Sequence, residues 1–139
     1  MDDRGVTLLE ALVALAILTV AALATAQLLS AAAIAVHDSR VQALTTTLAA
    51  QRMEQLVAAD WSAAPPGGSL DTDVAGYMDY PELDGGVFVR RWAIDLLPDG
   101  REDARVVRVL VRSLAADAAR AHGARGEARL VTVRARLAR

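Results

Sequence analysis

The sequence predicts an α+β fold in which a long N-terminal helix packs its outer half on a small antiparallel β-meander. Three observations support this prediction: residues 11–37 are apolar and uncharged, an amphipathic segment follows them, and three runs with alternating apolar residues occupy the second half of the chain. The 139 residues suffice for one domain or a small domain with an appendage. They are too few for a barrel or a doubly wound sheet.

The apolar stretch is long enough to cross a membrane. As a helix, residues 6–30 extend roughly 37 Å, more than a hydrocarbon core of about 30 Å. No Gly or Pro lies between Gly5 and Pro65, and Ala and Leu, which favour helices, dominate this interval. We therefore expect one continuous helix whose first half, residues 6–36, spans the membrane. A secretory signal peptide fits less well, because its apolar region is shorter and follows a basic start.

The second half of the helix, residues 37–61, is expected to be amphipathic. Its apolar positions recur at spacings of three and four, at Val41, Leu44, Leu48, Ala49, Met53, Leu56 and Val57. The breaker cluster at residues 63–69, Ala-Ala-Pro-Pro-Gly-Gly-Ser, predicts that the helix ends near Trp61. The apolar side of this half needs a covering surface.

Residues 87–139 are expected to supply that surface as an antiparallel sheet. Its strands are predicted at residues 87–97, 105–114 and 128–137, with a turn signal at 98–100. The expected core-facing residues are Val107, Val109 and Val111 on the second strand and Val131, Val133, Ala135 and Leu137 on the third. The alternate residues, expected to be largely solvated, are Arg108, Leu110, Arg112, Leu130, Thr132, Arg134 and Arg136. Residues 115–121 form either a helical turn or a long loop.

The composition excludes several classes of function. All 15 basic residues are Arg against 17 acidic residues, and the net charge of -2 argues against bulk affinity for nucleic acid. No Cys is present, so the chain has no disulfide, thiol nucleophile or thiolate metal site. His37, Asp38 and Ser39 are consecutive on a helix and point in different directions, and His122 has no evident partner. We expect no enzymatic activity and no resident metal or cofactor.

Residues 62–86 are expected to form an acidic loop that carries a pattern typical of calcium binding. Asp71, Asp73, Gly76, Asp79 and Glu82 occupy positions 1, 3, 6, 9 and 12 of an EF-hand loop. The exit helix of an EF-hand is missing, since two Gly follow shortly after. Calcium held by the four carboxylates is thus the alternative to an ordinary solvated loop.

Charge is distributed unevenly along the second half of the chain. Residues 104–139 hold nine Arg against two acidic residues, whereas residues 60–103 hold ten acidic residues against three Arg. A basic sheet supports an alternative function in which its Arg residues contact DNA phosphates, with Arg90, Arg91 and Trp92 as the best residues to probe. In the other interpretation, the Arg residues form the solvated face of strands or pair with acidic residues of a neighbouring subunit.

Glu10 is the most informative residue, because a carboxylate near the start of an apolar helix is costly unless it is paired or lies at an interface. The chain from Gly5 reads Gly-Val-Thr-Leu-Leu-Glu and continues into the apolar stretch. This run resembles the type IV prepilin signature. The chain is therefore similar to the precursor of a type IV pilin or of a type II secretion pseudopilin.

The resemblance implies a role for each residue of the signature. Residues 1–5 would be a leader that prepilin peptidase removes by cutting between Gly5 and Val6. Val6 would become the N-terminal residue and the site of N-methylation. The Glu10 carboxylate would pair with this amine on a neighbouring subunit, which lowers the cost of both charges in hydrocarbon and sets the axial register.

Two further features favour a minor subunit within this family. The helix lacks the mid-span Pro or Gly of many major pilins, and the chain lacks their Cys pair. Residues 48–56, Leu-Ala-Ala-Gln-Arg-Met-Glu-Gln-Leu, are similar to the helix end of PilV-type and I-type minor pseudopilins. The resemblance thus implies a filament subunit that acts in initiation near the tip.

The resemblance also implies a location and a set of partners. The protein would cross the inner membrane once, with its C-terminal domain in the periplasm, before it enters a pilus or pseudopilus. Its partners would be prepilin peptidase, other pilins or pseudopilins, the assembly platform of the inner membrane and the lipid bilayer. Two alternatives stay open: a DNA-binding minor pilin of an uptake filament, and a single-pass anchored domain unrelated to pili.

Overall fold

The computed structural model describes residues 8–83, 86–97, 103–114 and 126–136. These contain the helix α1 (Leu8–Ala58) and the strands β1 (Gly67–Gly68), β2 (Met78–Asp79), β3 (Glu82–Leu83), β4 (Gly86–Leu96), β5 (Ala104–Ser113) and β6 (Glu127–Ala135). The chain divides into two compact units, Met1–His37 and Asp38–Arg139. A long helix packed on an antiparallel sheet confirms the predicted α+β class.

The sheet is antiparallel in every described pairing and follows the order β1-β4-β5-β6. The three long strands form the predicted meander, in which Val109 lies opposite both Trp92 on β4 and Leu130 on β6. The short strands β2 and β3 also pair with β4. Strand β6 is therefore one edge of the sheet, and three two-residue strands line the other edge.

The core lies between the part of α1 in the second unit and the inner face of the three long strands. Its buried members are Val41, Leu48, Ala49 and Leu56 from α1 with Phe88, Trp92, Ile94, Val107, Val109, Val111 and Ala128 from the sheet. The fully buried hydroxyl of Thr45 donates a 2.9 Å hydrogen bond to the carbonyl of Gln42, which satisfies it inside the apolar layer. The helical periodicity of the sequence predicted most of this face, although Val57 is 43% exposed.

The inner face of β6 differs from the prediction. Val131 and Val133 are 58% and 60% exposed, whereas Ala128 is buried and Leu130 packs against the core. The register with β5 sets this orientation, because the buried Val109 lies opposite Leu130. The expectation that Val131 and Val133 face the core was therefore wrong: alternation shows that a strand has two faces, but not which face is inner.

The segment at residues 62–86 is more ordered than a simple loop. It contains β1, β2 and β3, and its Leu70 packs with Ala93 and Leu110 in a second, smaller buried cluster. Leu110, expected on the solvated face, is therefore only 6% exposed. Gly68 adopts a φ of +84°, and a Cβ there would collide with the Trp92 carbonyl oxygen, so this approach to β4 requires glycine.

Several predictions concern residues outside the described ranges. These are the leader at residues 1–5, the cleavage residues Gly5 and Val6, the turn at 98–100 and the segment at 115–121. The helix ends at Ala58, three residues before Trp61, and a turn follows in which the Ala63 N–H donates a hydrogen bond to the Asp60 carbonyl.

Candidate functional sites

The first candidate site is the exposed apolar surface of α1 in the N-terminal unit. Every residue from 8 to 37 is exposed, and the exposure of its large apolar side chains ranges from 52% at Val13 to 82% at Leu8. By length and composition α1 suffices to cross a membrane, and none of its apolar window is buried within the protein. So large an apolar surface requires a nonaqueous environment, such as a bilayer or other apolar helices.

The polar side chains of this surface fit such an environment. The hydroxyls of Thr19 and Thr25 donate hydrogen bonds to the carbonyls of Ala16 and Ala22, at 2.8 and 2.9 Å. These bonds keep the hydroxyls satisfied without water. Glu10 is the sole Asp, Glu, Arg or Lys among residues 8–37.

Glu10 lies in the first turn of α1 as described, and it is exposed. The side chain is therefore accessible at the helix surface. Gly5 and Val6 lie outside the described residues. The structure therefore gives no distances for the bond expected to be cleaved or for the amine of Val6.

The second candidate site is the end of α1, where two Arg from the sheet approach the helix. Arg134 donates hydrogen bonds to the carbonyls of Leu56 and Ala59, the first at 3.1 Å. Arg105 donates to the carbonyl of Trp61 at 2.8 Å, and also to that of Ala64. The guanidinium groups of Arg105 and Arg134 lie 4.0 and 5.5 Å from the centroid of the Trp61 ring. Together they cap the helix and hold the following turn on the sheet.

Burial lowers the pKa of the Arg105 guanidinium, and the nearby positive charges of Arg134 and Arg136 lower it further. Sequence reasoning missed this cluster, because it placed Arg134 on a solvated face. One signal was available: the last turn of α1 has no basic side chain of its own, so its carbonyl groups need donors from elsewhere.

The residues considered for DNA contact are engaged within the fold. Arg90 is 8% exposed, forms two hydrogen bonds of 2.7 and 2.8 Å with Asp79, and donates to the Leu48 carbonyl at 3.2 Å. Arg91 pairs with Asp73 at 2.7 Å. Trp92 is 4% exposed, and its ring lies in the core. None of the three presents a free contact surface for phosphates or bases.

The same ion pairs involve two of the four carboxylates considered for calcium. Asp79 binds Arg90, and Asp73 binds Arg91 while it accepts a 3.4 Å hydrogen bond from the Tyr80 hydroxyl. Asp71 and Glu82 are exposed. Across the described ranges, no three His, Asp or Glu side chains form a group that could hold a metal ion.

The comparisons with known proteins bear on the N-terminal site. Residues 1–26 match a family model described as the prokaryotic N-terminal methylation motif. Comparison with curated proteins and with solved structures gave no match. The matched stretch contains Gly5, Val6 and Glu10 and extends into the exposed apolar helix.

The motif supports a protein of the type IV pilin or pseudopilin class, as the resemblance implied. It implies processing by prepilin peptidase and assembly with other pilins, and it suggests a structural rather than a catalytic subunit. Together with the apolar helix it fits a pilin that crosses the inner membrane once. Residues 48–56, which carry the likeness to minor pseudopilins, lie outside the match.

Proposed function

We propose that the protein is a minor pilin or pseudopilin, a structural subunit of a type IV pilus or type II secretion filament, and that it acts in filament initiation near the tip. The observation that carries this proposal is the continuity of the methylation motif at residues 1–26 with an apolar helix that the rest of the protein leaves exposed. The bilayer covers this surface before assembly, and the helices of neighbouring subunits cover it afterwards.

Cleavage between Gly5 and Val6 creates the groups that assembly uses. It leaves Val6 with a free amine, the site of methylation, four residues before Glu10. An ammonium and a carboxylate are each costly in hydrocarbon, so a subunit whose Glu10 meets the amine of its neighbour lowers both costs. This pairing favours one axial register between successive helices.

The minor role is supported by residues 48–56 and by the absence of Cys and of a mid-span Pro or Gly. In this segment Leu48, Ala49 and Leu56 are buried against the sheet. Gln51, Glu54 and Gln55 are exposed on the other side of the helix, where they suit contacts with other minor subunits. In this proposal the domain formed by residues 38–139 lies in the periplasm, and the assembly platform of the inner membrane is a partner.

Intact-mass analysis of the full chain, expressed with and without a prepilin peptidase, tests the proposal. We expect loss of residues 1–5 only with the peptidase, and an added methyl group where Val6 is modified. A Gly5→Val variant is the matched control, because it changes the cleavage residue and leaves the helix intact. An uncut wild-type chain in both strains would contradict the proposal and leave a single-pass anchored domain unrelated to pili.

A further inference from the structure

Strand β6 carries an exposed patch at the edge of the sheet, formed by Arg129, Val131 and Val133. The three side chains alternate along the strand and so point to its outer face, away from the core. Val131 and Val133 are the most exposed large apolar residues of the sheet, at 58% and 60%. Arg129 is exposed and has no ion pair with any residue of the described ranges. We call these residues the β6 patch.

A second patch lies at the opposite edge and is formed by Glu82 and Val87. Glu82 is opposite Val87 in the pairing of β3 with β4, so these two side chains share a face. Val87 is 39% exposed. Glu82 is exposed and, like Arg129, has no ion pair among the described residues. We call these residues the β3 patch.

The two patches are complementary in charge. Most charges on the sheet are neutralised within the chain by four ion pairs: Arg90 with Asp79, Arg91 with Asp73, Arg108 with Asp95, and Arg112 with Glu127. Arg129 and Glu82 are left over on the two patches, each beside exposed valine. Two β6 patches would repel each other, as would two β3 patches, whereas one of each joins opposite charges and buries apolar side chains.

We propose that the β6 patch of one copy of this chain docks on the β3 patch of a second copy. Arg129 pairs with Glu82 across this contact, and Val131 and Val133 pack against Val87. The chain is basic in residues 104–139 and acidic in residues 60–103. Long-range electrostatic attraction between these two regions of different copies also favours this contact. The contact goes beyond the proposed function, because it uses the sheet and requires neither cleavage nor a growing filament.

Thiol cross-linking of the full chain in membranes, without prepilin peptidase, tests the contact. The sequence has no Cys, so introduced thiols are the only ones. Two differently tagged copies are coexpressed, one with Val133→Cys and the other with Val87→Cys, and treated with a short thiol-specific cross-linker. We expect a mixed dimer at a yield several-fold above that of a control in which Thr46→Cys, on the exposed side of α1, replaces Val87→Cys.

Charge reversal then tests which residues hold the contact. Arg129→Glu in the Val133→Cys copy should lower the yield to the level of the Thr46→Cys control. Glu82→Arg in the other copy should restore it. Arg40→Glu is the matched control, because Arg40 is an exposed Arg on α1, remote from both patches in sequence, and its reversal should leave the yield unchanged.

Two results would overturn the inference: a yield no higher than that of the Thr46→Cys control, or a yield that Arg129→Glu leaves unchanged. Unchanged thermal unfolding of each variant shows that a lost cross-link does not reflect a lost fold. The cross-linking experiment contains no peptidase, so a negative result there does not affect the proposed function. Likewise, a chain that prepilin peptidase does not cut would not affect the proposed contact between the patches.

Discussion

Arg134 on β6 donates a hydrogen bond to the main-chain carbonyl of Leu56, a residue 78 positions earlier, with a donor–acceptor distance of 3.1 Å. That carbonyl belongs to the last turn of α1, where no further helical N–H is available to bind it. The last turn has no basic side chain of its own. The last strand therefore supplies the cation that the helix end lacks, and it ties β6 to the end of α1.

We expect Arg134→Ala to lower the free energy of unfolding by about 2 kcal/mol, since a hydrogen bond from a charged donor contributes about 1.5–3 kcal/mol. Arg129→Ala is the matched control, because Arg129 is an exposed Arg on the same strand, and it should change stability by less than about 0.5 kcal/mol. Urea unfolding of the full chain in detergent, followed by circular dichroism, measures both. Equal effects of the two substitutions would show that Arg134 does not cap the helix.

The helix and the meander could be predicted because each leaves a periodic pattern in the sequence. The orientation of β6 could not be predicted in this way, because its more apolar face is the outer one. Valine occupies the outer face, while Leu130, Thr132 and Arg134 face inward. Arg134 faces inward because the helix end binds it, and that partner is distant in sequence. The prediction placed the face that carries Arg134 in solvent because Arg is charged. That inference was wrong because the end of α1, far away in sequence, binds the Arg134 guanidinium.

The register of β6 predicts a contrast between two valines. Val109 is 0% exposed and Val131 is 58% exposed. Val109→Ala removes two buried methyl groups and leaves a cavity, so we expect a loss of about 2 kcal/mol. Val131→Ala should cost less than about 0.5 kcal/mol. Comparable losses in thermal or urea unfolding would instead support the orientation that alternation predicted.

The ion pairs of β4 and β5 predict a contrast that depends on burial. Arg90–Asp79 and Arg108–Asp95 both close at 2.7 Å, but the Arg90 side chain is 10% exposed and that of Arg108 is 34% exposed. We expect Arg90→Ala to cost about 2–3 kcal/mol, because it leaves the Asp79 carboxylate without its buried partner and removes the hydrogen bond to the Leu48 carbonyl. Arg108→Ala should cost less than about 1 kcal/mol. If urea unfolding gave the same midpoint for both variants, burial would not determine how much each ion pair contributes to stability.

The same geometry bears on the calcium pattern of residues 71–82. The sequence predicts the positions of the carboxylates, but not that Asp73 and Asp79 bind Arg91 and Arg90. A calcium ion would have to compete with both guanidinium groups for these oxygens. We expect isothermal titration of the full chain to give no calcium heat. A heat that disappears in an Asp71→Ala, Asp73→Ala variant would show that calcium displaces the Arg partners.

The N-terminal site was predictable from sequence because its signal is local: a short motif and an uninterrupted apolar helix. The chemistry proposed for it is intermolecular, so a single chain cannot display it. In the proposed function, the amine that Glu10 binds is created by cleavage and belongs to another subunit. Variants scored in assembled filaments therefore test the role of Glu10 directly.

Glu10→Ala should leave cleavage after Gly5 largely intact and lower incorporation into filaments at least about tenfold. Without the Glu10 carboxylate, the N-terminal ammonium of the neighbouring subunit is left unpaired in hydrocarbon, which costs about 2.5–3.5 kcal/mol. This cost exceeds the free energy of about 1.4 kcal/mol that corresponds to a tenfold change. Gln27→Ala is the matched control, because it removes another exposed polar side chain from the same helix without removing a charge. The amount of processed protein in sheared filaments, relative to membranes, measures incorporation. Normal incorporation of Glu10→Ala would show that the carboxylate does not pair with the neighbouring amine.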